Sequence, residues 1–414
     1  MQRGSDACDI RITERGCAEL RELELYLHIP FCVQKCRYCD FLSAPAEPEE
    51  IETYVEALQK EIYAYEGKFT DYKVTSVFFG GGTPSLLSAG QMQRLMESLQ
   101  RVFQIRVAAE ITMEMNPGTV SKEKLLGYKK AGINRLSIGL QSIQDHELRM
   151  LGRIHDYQMF LVTYEMARKV GFENINLDLI SAIPGQTVAS WNETLHTVAA
   201  LAPEHISAYS LIIEEGTPFY ELYGGDQSLH NMKEQKFESV QSLLAPLPDE
   251  EEERRMYEMT SQVLEGYGYC RYEISNYAKS GYECRHNLGY WERKEYLGLG
   301  IGASSLIDNV RYDHIRDRLE YIQLAGTPDK LQCHREVLDQ KAQMEEFMFL
   351  GLRKTEGIRK QEFNVCFACP MESIYGEVVR ELEEKYLIIE ENGWLRLSDR
   401  GVDISNYALS YFLL

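Results

Sequence analysis

Short apolar or alternating runs recur through the first half of the chain, and stretches with helical periodicity separate them. Six runs have the pattern of β-strands: Leu23–Pro30, Val74–Gly81, Glu110–Pro117, Arg135–Ser142, Asn174–Ser181 and His205–Ile212. Five intervening stretches have the 3.6-residue apolar period of helices: Pro48–Tyr65, Ser88–Phe103, Ser121–Ala131, Asp156–Val170 and Val188–Ala200. Strands that alternate with helices predict a parallel sheet with the helices outside it.

The predicted fold class is α/β, a partial (β/α)6 barrel similar to a TIM barrel. Function in such a fold lies at the carboxyl ends of the strands. The segments with unusual composition all fall at or just beyond those ends: the loop with Cys32, Cys36 and Cys39, the turn Gly80–Pro84, Asn116–Pro117, Gln141 and Asp178–Pro184. Packing does not explain why they share one rim, so we expect a single site there.

The pattern changes after about Asp249. Met256–Gly268 reads as a helix, and Tyr269–Ser305 is rich in aromatic residues and glycine. Further helical runs follow, and then a hairpin over Tyr386–Leu397 with Asn392–Gly393 at its turn. The C-terminal region is therefore predicted to be a small, mostly helical, winged-helix-like domain.

The predicted domains are an N-terminal extension (1–22), the barrel (23–255), a connecting region (256–335) and the C-terminal domain (336–414). A chain of 414 residues is too long for one ordinary core, which agrees with this division. No run approaches the roughly 20 apolar residues that span a bilayer. The first 20 residues contain no apolar core of a secretory signal.

The net charge and the cysteine content of the chain favour some classes of function over others. The 44 lysines and arginines against 64 aspartates and glutamates give a net charge of −20, which disfavours nucleic acid as a partner. The acidic run Asp249–Glu253 reads as a solvated loop or helix face. Ten cysteines without an export signal predict a cytoplasmic, reducing environment in which thiols stay free or bind metal.

Cys32, Cys36 and Cys39 form a C-x3-C-x2-C loop directly after the first predicted strand. Three thiolates can hold a four-iron cluster and leave one iron without a protein ligand, whereas four close the cluster for electron transfer. A zinc site is the competing interpretation, but the second C-x2-C, Cys366 and Cys369, lies more than 300 residues downstream.

The Gly80–Pro84 turn follows a buried-looking strand. It contains neither a phosphate-binding P-loop pattern nor G-x-G-x-x-G. Two interpretations stay open: a plain tight turn, or a place where backbone groups bind a ligand's amine or carboxylate.

Several motifs together resemble the radical S-adenosylmethionine (SAM) family. They are His28-Ile29-Pro30-Phe31-Cys32, the cysteine loop, Gly80–Pro84, Glu114-Met115-Asn116-Pro117, Arg135–Ser142, Asp178-Leu179-Ile180 and Pro184-Gly185-Gln186-Thr187. The branch that they resemble contains the oxygen-independent coproporphyrinogen III oxidases and the HemW-type haem chaperones. The resemblance extends from about residue 23 to the C-terminus.

The resemblance implies a set of cofactor ligands but no catalytic residue. Cys32, Cys36 and Cys39 are expected to bind a [4Fe-4S] cluster whose open iron is chelated by SAM. The positions expected to hold this SAM are Tyr26, Gly81 and Glu114. Those expected to line a second SAM site or the adjoining cavity are Tyr38, Gly82, Thr83, Gln141, Arg153 and Asp178. Structural roles compete for three of these: a turn cap for Asp178, a surface ion pair for Arg153 and inward packing for Tyr26.

Two features separate the haem chaperones from the oxidases. The oxidase pattern has a further cysteine two positions after the third cluster cysteine, and this chain has Phe41 there. The segment from His286 to Trp291 resembles the HNxxYW motif of the chaperones, which implies His286 as an axial haem ligand with Tyr290 and Trp291 against the macrocycle. A structural histidine is the competing interpretation.

The sequence offers less support for a function of the cysteines at positions 284, 366 and 369. Cys284 is a candidate thiolate ligand, but we favour a buried free thiol for it. Cys366 and Cys369 read as incidental, because their region offers no second ligand pair.

The first hypothesis is a haem chaperone that binds the cluster, SAM and haem and passes haem to acceptor proteins such as respiratory enzymes. A reductase or flavodoxin would supply electrons, and membrane association would be peripheral, through partners. The second hypothesis is an oxidase that decarboxylates porphyrinogen propionates by a radical route. The third is a regulatory or interaction protein that carries a cluster.

Overall fold

The computed structural model describes residues 20–224 and 245–414, so most of the predicted N-terminal extension lies outside the described residues. Six parallel strands lie at the centre of one sheet: β1 (Arg21–Ile29), β2 (Tyr72–Gly81), β3 (Ile105–Met115), β4 (Arg135–Gln141), β5 (Ile175–Ser181) and β6 (His205–Ser210). The helices between and after them are α1 (Pro48–Tyr63), α2 (Ala89–Val102), α3 (Lys122–Ala131), α4 (Asp145–Leu151), α5 (Tyr157–Val170), α6 (Val188–Ala200) and α7 (Pro218–Tyr223). The partial (β/α)6 barrel is confirmed.

Local sequence explains where these elements begin and end. Ser88 caps α2 in a capping box with Gln91, and α5 ends at Gly171, whose left-handed φ of 96° stops the helix. All seven residues of β4 are buried, as expected of a parallel strand that is covered on both faces. The central core is contributed by β1–β6 and the helices packed on them.

The sheet is wider than the sequence pattern predicts. The elements after β6 are α8 (Glu250–Gly266), β7 (Cys270–Arg271), β8 (Asn276–Ala278), α9 (Arg285–Trp291), β9 (Tyr296–Leu299), β10 (Ser304–Ile307), β11 (Val310–His314), α10 (Arg318–Leu324), α11 (Pro328–Leu331) and β12 (Gln332–Val337). The order in the described sheet is β12-β11-β10-β9-β1-β2-β3-β4-β5-β6-β8-β7. The aromatic and glycine-rich segment therefore flanks the parallel strands, and β9 pairs directly with β1.

The C-terminal region has a hydrophobic core of its own. Its elements are α12 (Gln340–Gly351), β13 (Ile358–Arg359), α13 (Lys360–Phe367), α14 (Glu372–Glu384), β14 (Ile388–Glu391), β15 (Trp394–Leu397), α15 (Asp399–Asp403) and α16 (Ser405–Ser410). The hairpin β14–β15 turns at Asn392 and Gly393, both with positive φ, as the sequence predicts. The domain boundaries at 255 and 335 stay predictions.

Helix α8 begins at Glu250, six residues before the predicted start at Met256. Asp249 caps it, and the four glutamates that follow occupy its first turn, where negative charge interacts favourably with the helix dipole. The acidic run is thus a helix start. Among the described residues, no helix combines the length and the apolarity needed to cross a bilayer.

Candidate functional site

Two adjoining cavities open at the carboxyl ends of the parallel strands. The first, which we call the cluster cavity, has about 400 Å³ and is lined by all three loop cysteines. The second, the His286 cavity, has about 490 Å³ and is lined by His286 and several aromatic rings. The two share one wall, formed by Asp40, Phe41, Gly81 and Glu114.

Backbone hydrogen bonds close the cysteine loop next to β1. The Cys32 amide donates to the Ala44 carbonyl at 3.1 Å, and the Ala44 amide donates to the Pro30 carbonyl at 3.0 Å. Cys32, Cys36 and Cys39 are each partly exposed and unbridged. The loop therefore presents its three thiols to the cluster cavity without support from a disulfide.

The thiols fit a cluster better than a single ion. In residues 20–224 and 245–414, no three Cys, His, Asp or Glu side chains converge closely enough to hold one metal ion. Burial, together with the neighbouring Cys36 and Cys32, raises the pKa of the Cys39 thiol to about 11. A Cys39 thiolate is thus unfavourable in the free loop, and bonding to the irons of a [4Fe-4S] cluster would compensate for it.

A chain of polar contacts through Thr83, Asn116 and Arg153 connects Cys32 to Cys36. Thr83 Oγ1 lies 3.7 Å from Cys32 Sγ and accepts from Asn116 Nδ2 at 2.8 Å. Asn116 Oδ1 accepts from an Arg153 amino group at 2.6 Å, and the other Arg153 amino group lies 3.6 Å from Cys36 Sγ. Arg153 is thus held at the cysteine loop and is not a surface ion pair.

The glycine turn packs tightly against the end of β1. The Gly82 amide donates to the Ile29 carbonyl at 2.9 Å, and a Cβ at Gly82 would lie 2.6 Å from the Phe31 carbonyl oxygen. Gly81 has φ of 101°, and its amide donates to Glu114 Oε2 at 3.1 Å. Glycine is therefore required here for close approach, and Gly81 fixes the Glu114 carboxylate.

Glu114 is a carboxylate that lacks a full counter-charge. Burial, with a smaller contribution from Asp178, raises the pKa of Glu114 to about 8. Its side chain lines both cavities. A ligand ammonium beside it would restore its charged form, so the position suits the amino group of SAM.

Asp178, in the middle of β5, and Gln141, the last residue of β4, lie on neighbouring strands and line the cluster cavity. Asp178 accepts from Ser137 Oγ at 2.9 Å and from Asn176 Nδ2 at 2.8 Å, so it does not cap the next turn. Gln141 has φ of 70°, a left-handed conformation that costs a non-glycine residue about 1 kcal/mol or more. Such strain is common where a backbone must aim a side chain at a ligand.

The predicted SAM residues do not all reach the same cavity. Tyr38, Gly82 and Arg153 line the cluster cavity together with the residues already described. Thr83 is buried behind Cys32, at 1% exposure. Tyr26 lines the His286 cavity, where it stacks on Phe78 and its hydroxyl lies 3.0 Å from His28 Nδ1.

His286 lies in the wall of the second cavity with both ring nitrogens engaged. Its Nδ1 is 2.8 Å from Ser76 Oγ, and its Nε2 is 3.0 Å from the Tyr290 hydroxyl. The ring stacks on Phe78. Burial lowers the pKa of His286 to about 3, so the imidazole is neutral at physiological pH. A neutral imidazole is the form that coordinates haem iron.

Two other predicted residues have different surroundings. Trp291 does not line the His286 cavity; its ring lies against the Arg353 guanidinium, 4.5 Å away. Cys284 is fully buried, its Sγ lies 3.5 Å from Glu110 Oε1, and burial raises the pKa of the thiol. This geometry agrees with a buried free thiol.

Sequence reasoning placed Asn116 on the predicted rim but missed three other residues that the structure brings to the site. Asn116 connects Thr83 to Arg153. Ser76 and Glu24 lie behind His286, with Glu24 Oε2 at 3.8 Å from Nδ1. Arg316 lines the His286 cavity from the turn after β11, where no motif marks it.

A parallel barrel whose three-cysteine loop adjoins a glycine turn defines the radical SAM class of proteins. The family model described as the radical SAM superfamily matches residues 26–198, and that of the HemN C-terminal domain matches residues 338–404. The chain is 36% identical to the heme chaperone HemW of Lactococcus lactis, over 94% of this chain and 97% of that protein. It is 36% identical to the heme chaperone HemW of Bacillus subtilis, over 94% and 98%. The chain belongs to the HemW family.

The solved structure of coproporphyrinogen III oxidase (HemN) from Escherichia coli has the same fold. It superposes with a TM-score of 0.79 over 95% of this chain and 91% of that one, at 22% sequence identity. This likeness establishes the architecture, and membership of the radical SAM superfamily implies SAM and a [4Fe-4S] cluster.

Proposed function

We propose that this protein is a haem chaperone: it binds haem at His286, carries a [4Fe-4S] cluster and SAM in the cluster cavity, and delivers haem to acceptor proteins. Three relatives that match at least 94% of this chain are named heme chaperones. The observation that carries the proposal is a neutral, buried imidazole in the wall of an aromatic cavity next to the cysteine loop.

The cluster and SAM would be held by groups that already point into one cavity. Cys32, Cys36 and Cys39 would ligate three irons, and the fourth would take the amine and carboxylate of SAM, which supplies one-electron chemistry when the cluster is reduced. Glu114 would accept from the SAM amino group. Arg153 and Asn116 would hold the loop while the cavity walls limit access of water.

Phe41 supports a chaperone over an oxidase. It stands where the oxidase pattern has a further cysteine, and it is 58% exposed on the wall between the two cavities. A phenyl ring there supplies an apolar contact but no thiol. We therefore expect binding and transfer of haem, with no oxidation of porphyrinogen propionates.

The proposal also covers the cellular compartment and the partner proteins. We propose that the protein works in the cytoplasm, receives electrons from a reductase or flavodoxin, and reaches membranes only through its acceptors. The cysteine content and the net charge of −20 agree with a reducing compartment and with protein partners.

The experiment is an anaerobic haem titration of wild-type protein and of His286→Ala, read by the Soret band. We expect a shifted Soret band in the wild type and at least about tenfold weaker binding in the variant, because the iron loses its axial ligand. His196→Ala is the matched control, since His196 is exposed and lies outside both cavities. Equal binding by His286→Ala would remove His286 from the proposal, and formation of protoporphyrinogen from coproporphyrinogen and SAM would favour an oxidase.

A further inference from the structure

The His286 cavity contains one residue with a permanent positive charge. Five aromatic residues line it: Tyr26, Phe41, Phe78, Tyr290 and Tyr296. The acidic residues in its wall are Asp40 and Glu114, and Arg316 is the only lysine or arginine among the described lining residues. The cavity thus combines flat apolar surfaces with a single guanidinium.

Arg316 differs from the arginines around it in having no carboxylate partner within the described part of the chain. Arg318 pairs with Glu50, while Arg311 and Arg293 both pair with Glu346. Arg316 is also exposed and lies in the cavity wall, so its guanidinium is accessible to a ligand in the cavity.

The two acidic residues nearest to Arg316 in the sequence are engaged elsewhere. Asp317 caps α10 by accepting from the Glu320 amide at 2.8 Å, and Asp313 Oδ1 lies 2.9 Å from His334 Nδ1. The backbone next to Arg316 is fixed as well, because the Ile315 amide donates to the Leu331 carbonyl and its carbonyl accepts from Gly302. The guanidinium therefore extends from a rigid turn, and its N–H groups are available to donate to a ligand.

We propose that Arg316 binds a propionate carboxylate of the tetrapyrrole whose iron His286 ligates, which makes it a specificity residue for macrocycles with free carboxylates. This inference rests on the proposed function. An arginine fork suits a carboxylate because it donates two parallel hydrogen bonds, and an aromatic cavity suits the flat ring that bears the carboxylates.

The experiment compares haem with haem dimethyl ester, whose propionates cannot carry charge, by Soret titration in the same detergent-containing anaerobic buffer. For the wild type we expect haem to bind about five- to tenfold more tightly than the ester, since the charged contact is partly exposed and screened. For Arg316→Gln we expect haem to bind about as weakly as the ester. Raising the salt concentration should weaken haem binding to the wild type and leave the variant unaffected.

Two further variants serve as controls for the role of the charge at position 316. Arg318→Gln, two residues away and paired with Glu50, should retain the wild-type preference for haem, whereas Arg316→Lys should restore part of it. Equal binding of haem and ester by the wild type, or an unchanged preference in Arg316→Gln, would overturn the role of Arg316 alone, provided that the His286-dependent Soret shift is present. Absence of haem binding by the wild type would overturn the proposed function as well.

Discussion

The Nε2 atom of His286 lies 3.0 Å from the hydroxyl oxygen of Tyr290, four residues later on the same short helix. The other ring nitrogen faces Ser76, with the buried carboxyl of Glu24 behind it. Iron can coordinate Nε2 only if the hydrogen bond to Tyr290 is broken. Ser76 resembles the partners that orient metal-ligating imidazoles through their second nitrogen.

Removal of the Tyr290 hydroxyl should therefore favour haem binding. Tyr290→Phe keeps the ring and its edge contact with Tyr296 but leaves Nε2 without a competing partner. Since a hydrogen bond contributes about 1 kcal/mol net, we expect haem affinity to rise by up to about fivefold. Stopped-flow measurement of the Soret change gives the rates. Weaker binding by Tyr290→Phe would indicate that the hydroxyl itself contacts haem.

Removal of the Ser76 hydroxyl should have the opposite effect. Ser76→Ala takes away the partner of Nδ1, so the imidazole loses its fixed orientation and donates less electron density to iron. We expect several-fold weaker haem binding and a lower Fe(II)–histidine stretching frequency in resonance Raman spectra. Thr75→Ala, whose hydroxyl lies 3.4 Å from the Leu23 carbonyl, is the neighbouring control. Identical spectra for Ser76→Ala and the wild type would contradict this role.

Glu114→Gln should weaken SAM binding without loss of the cluster. The amide cannot neutralise an ammonium group, but it can still accept from the Gly81 amide. A loss of about tenfold in SAM affinity is expected for a buried charged contact. Isothermal titration of anaerobic, cluster-loaded protein measures it, with the exposed first-turn residue of α3, Glu123→Gln, as control. Unaltered SAM affinity would assign Glu114 a purely structural role.

Glu61 should make the fold less stable at alkaline pH. It is fully buried, it accepts from the Tyr321 hydroxyl at 2.5 Å and the Gly300 amide at 2.9 Å, and burial raises its pKa from 4.5 to about 8. Between these values the folded protein keeps the proton that the unfolded chain has lost. Stability contributed by this group is thus complete below pH 4.5 and is lost as pH rises through 8, by on the order of 1.4 kcal/mol per unit.

Urea unfolding at pH 6 and pH 8.5 measures this effect. Glu61→Gln retains both acceptor contacts and cannot ionise, so the difference between its two midpoints should be smaller than in the wild type. Glu56→Gln on the same helix, at an exposed position, should behave as the wild type. An equal midpoint difference in Glu61→Gln and the wild type would show that Glu61 ionises normally.

The sequence predicted the central fold because β1–β6 are buried on both faces and so read as apolar runs. It placed the start of β3 at Glu110 instead of Ile105, because the first residues of that strand include the exposed Val107 and lack a pattern. It missed β9, which has four residues and gains its stability from pairing with β1, more than 260 residues earlier. Such a contact leaves no local signal.

Some residues of the site could likewise be predicted from the local sequence, whereas others depend on contacts between distant segments. The loop cysteines follow β1 and Glu114 is the next-to-last residue of β3, so topology alone brings them together. Tyr290 and Trp291 could have been separated in advance, because a helix places residues four apart on one face and turns the fifth away. The position of Arg316 could not be predicted, since the β10–β11 hairpin comes close to β1 only through β9, which pairs with both β10 and β1.

The most direct test of the account is a count of iron, acid-labile sulfide and haem in anaerobically reconstituted, haem-loaded protein. We expect about four non-haem irons, four sulfides and one haem per wild-type chain. His286→Ala should keep the irons and sulfides and lose the haem on gel filtration, while replacement of Cys32, Cys36 and Cys39 by alanine should abolish the cluster. A cluster that survives the loss of all three cysteines, or haem retained in full without His286, would contradict the account.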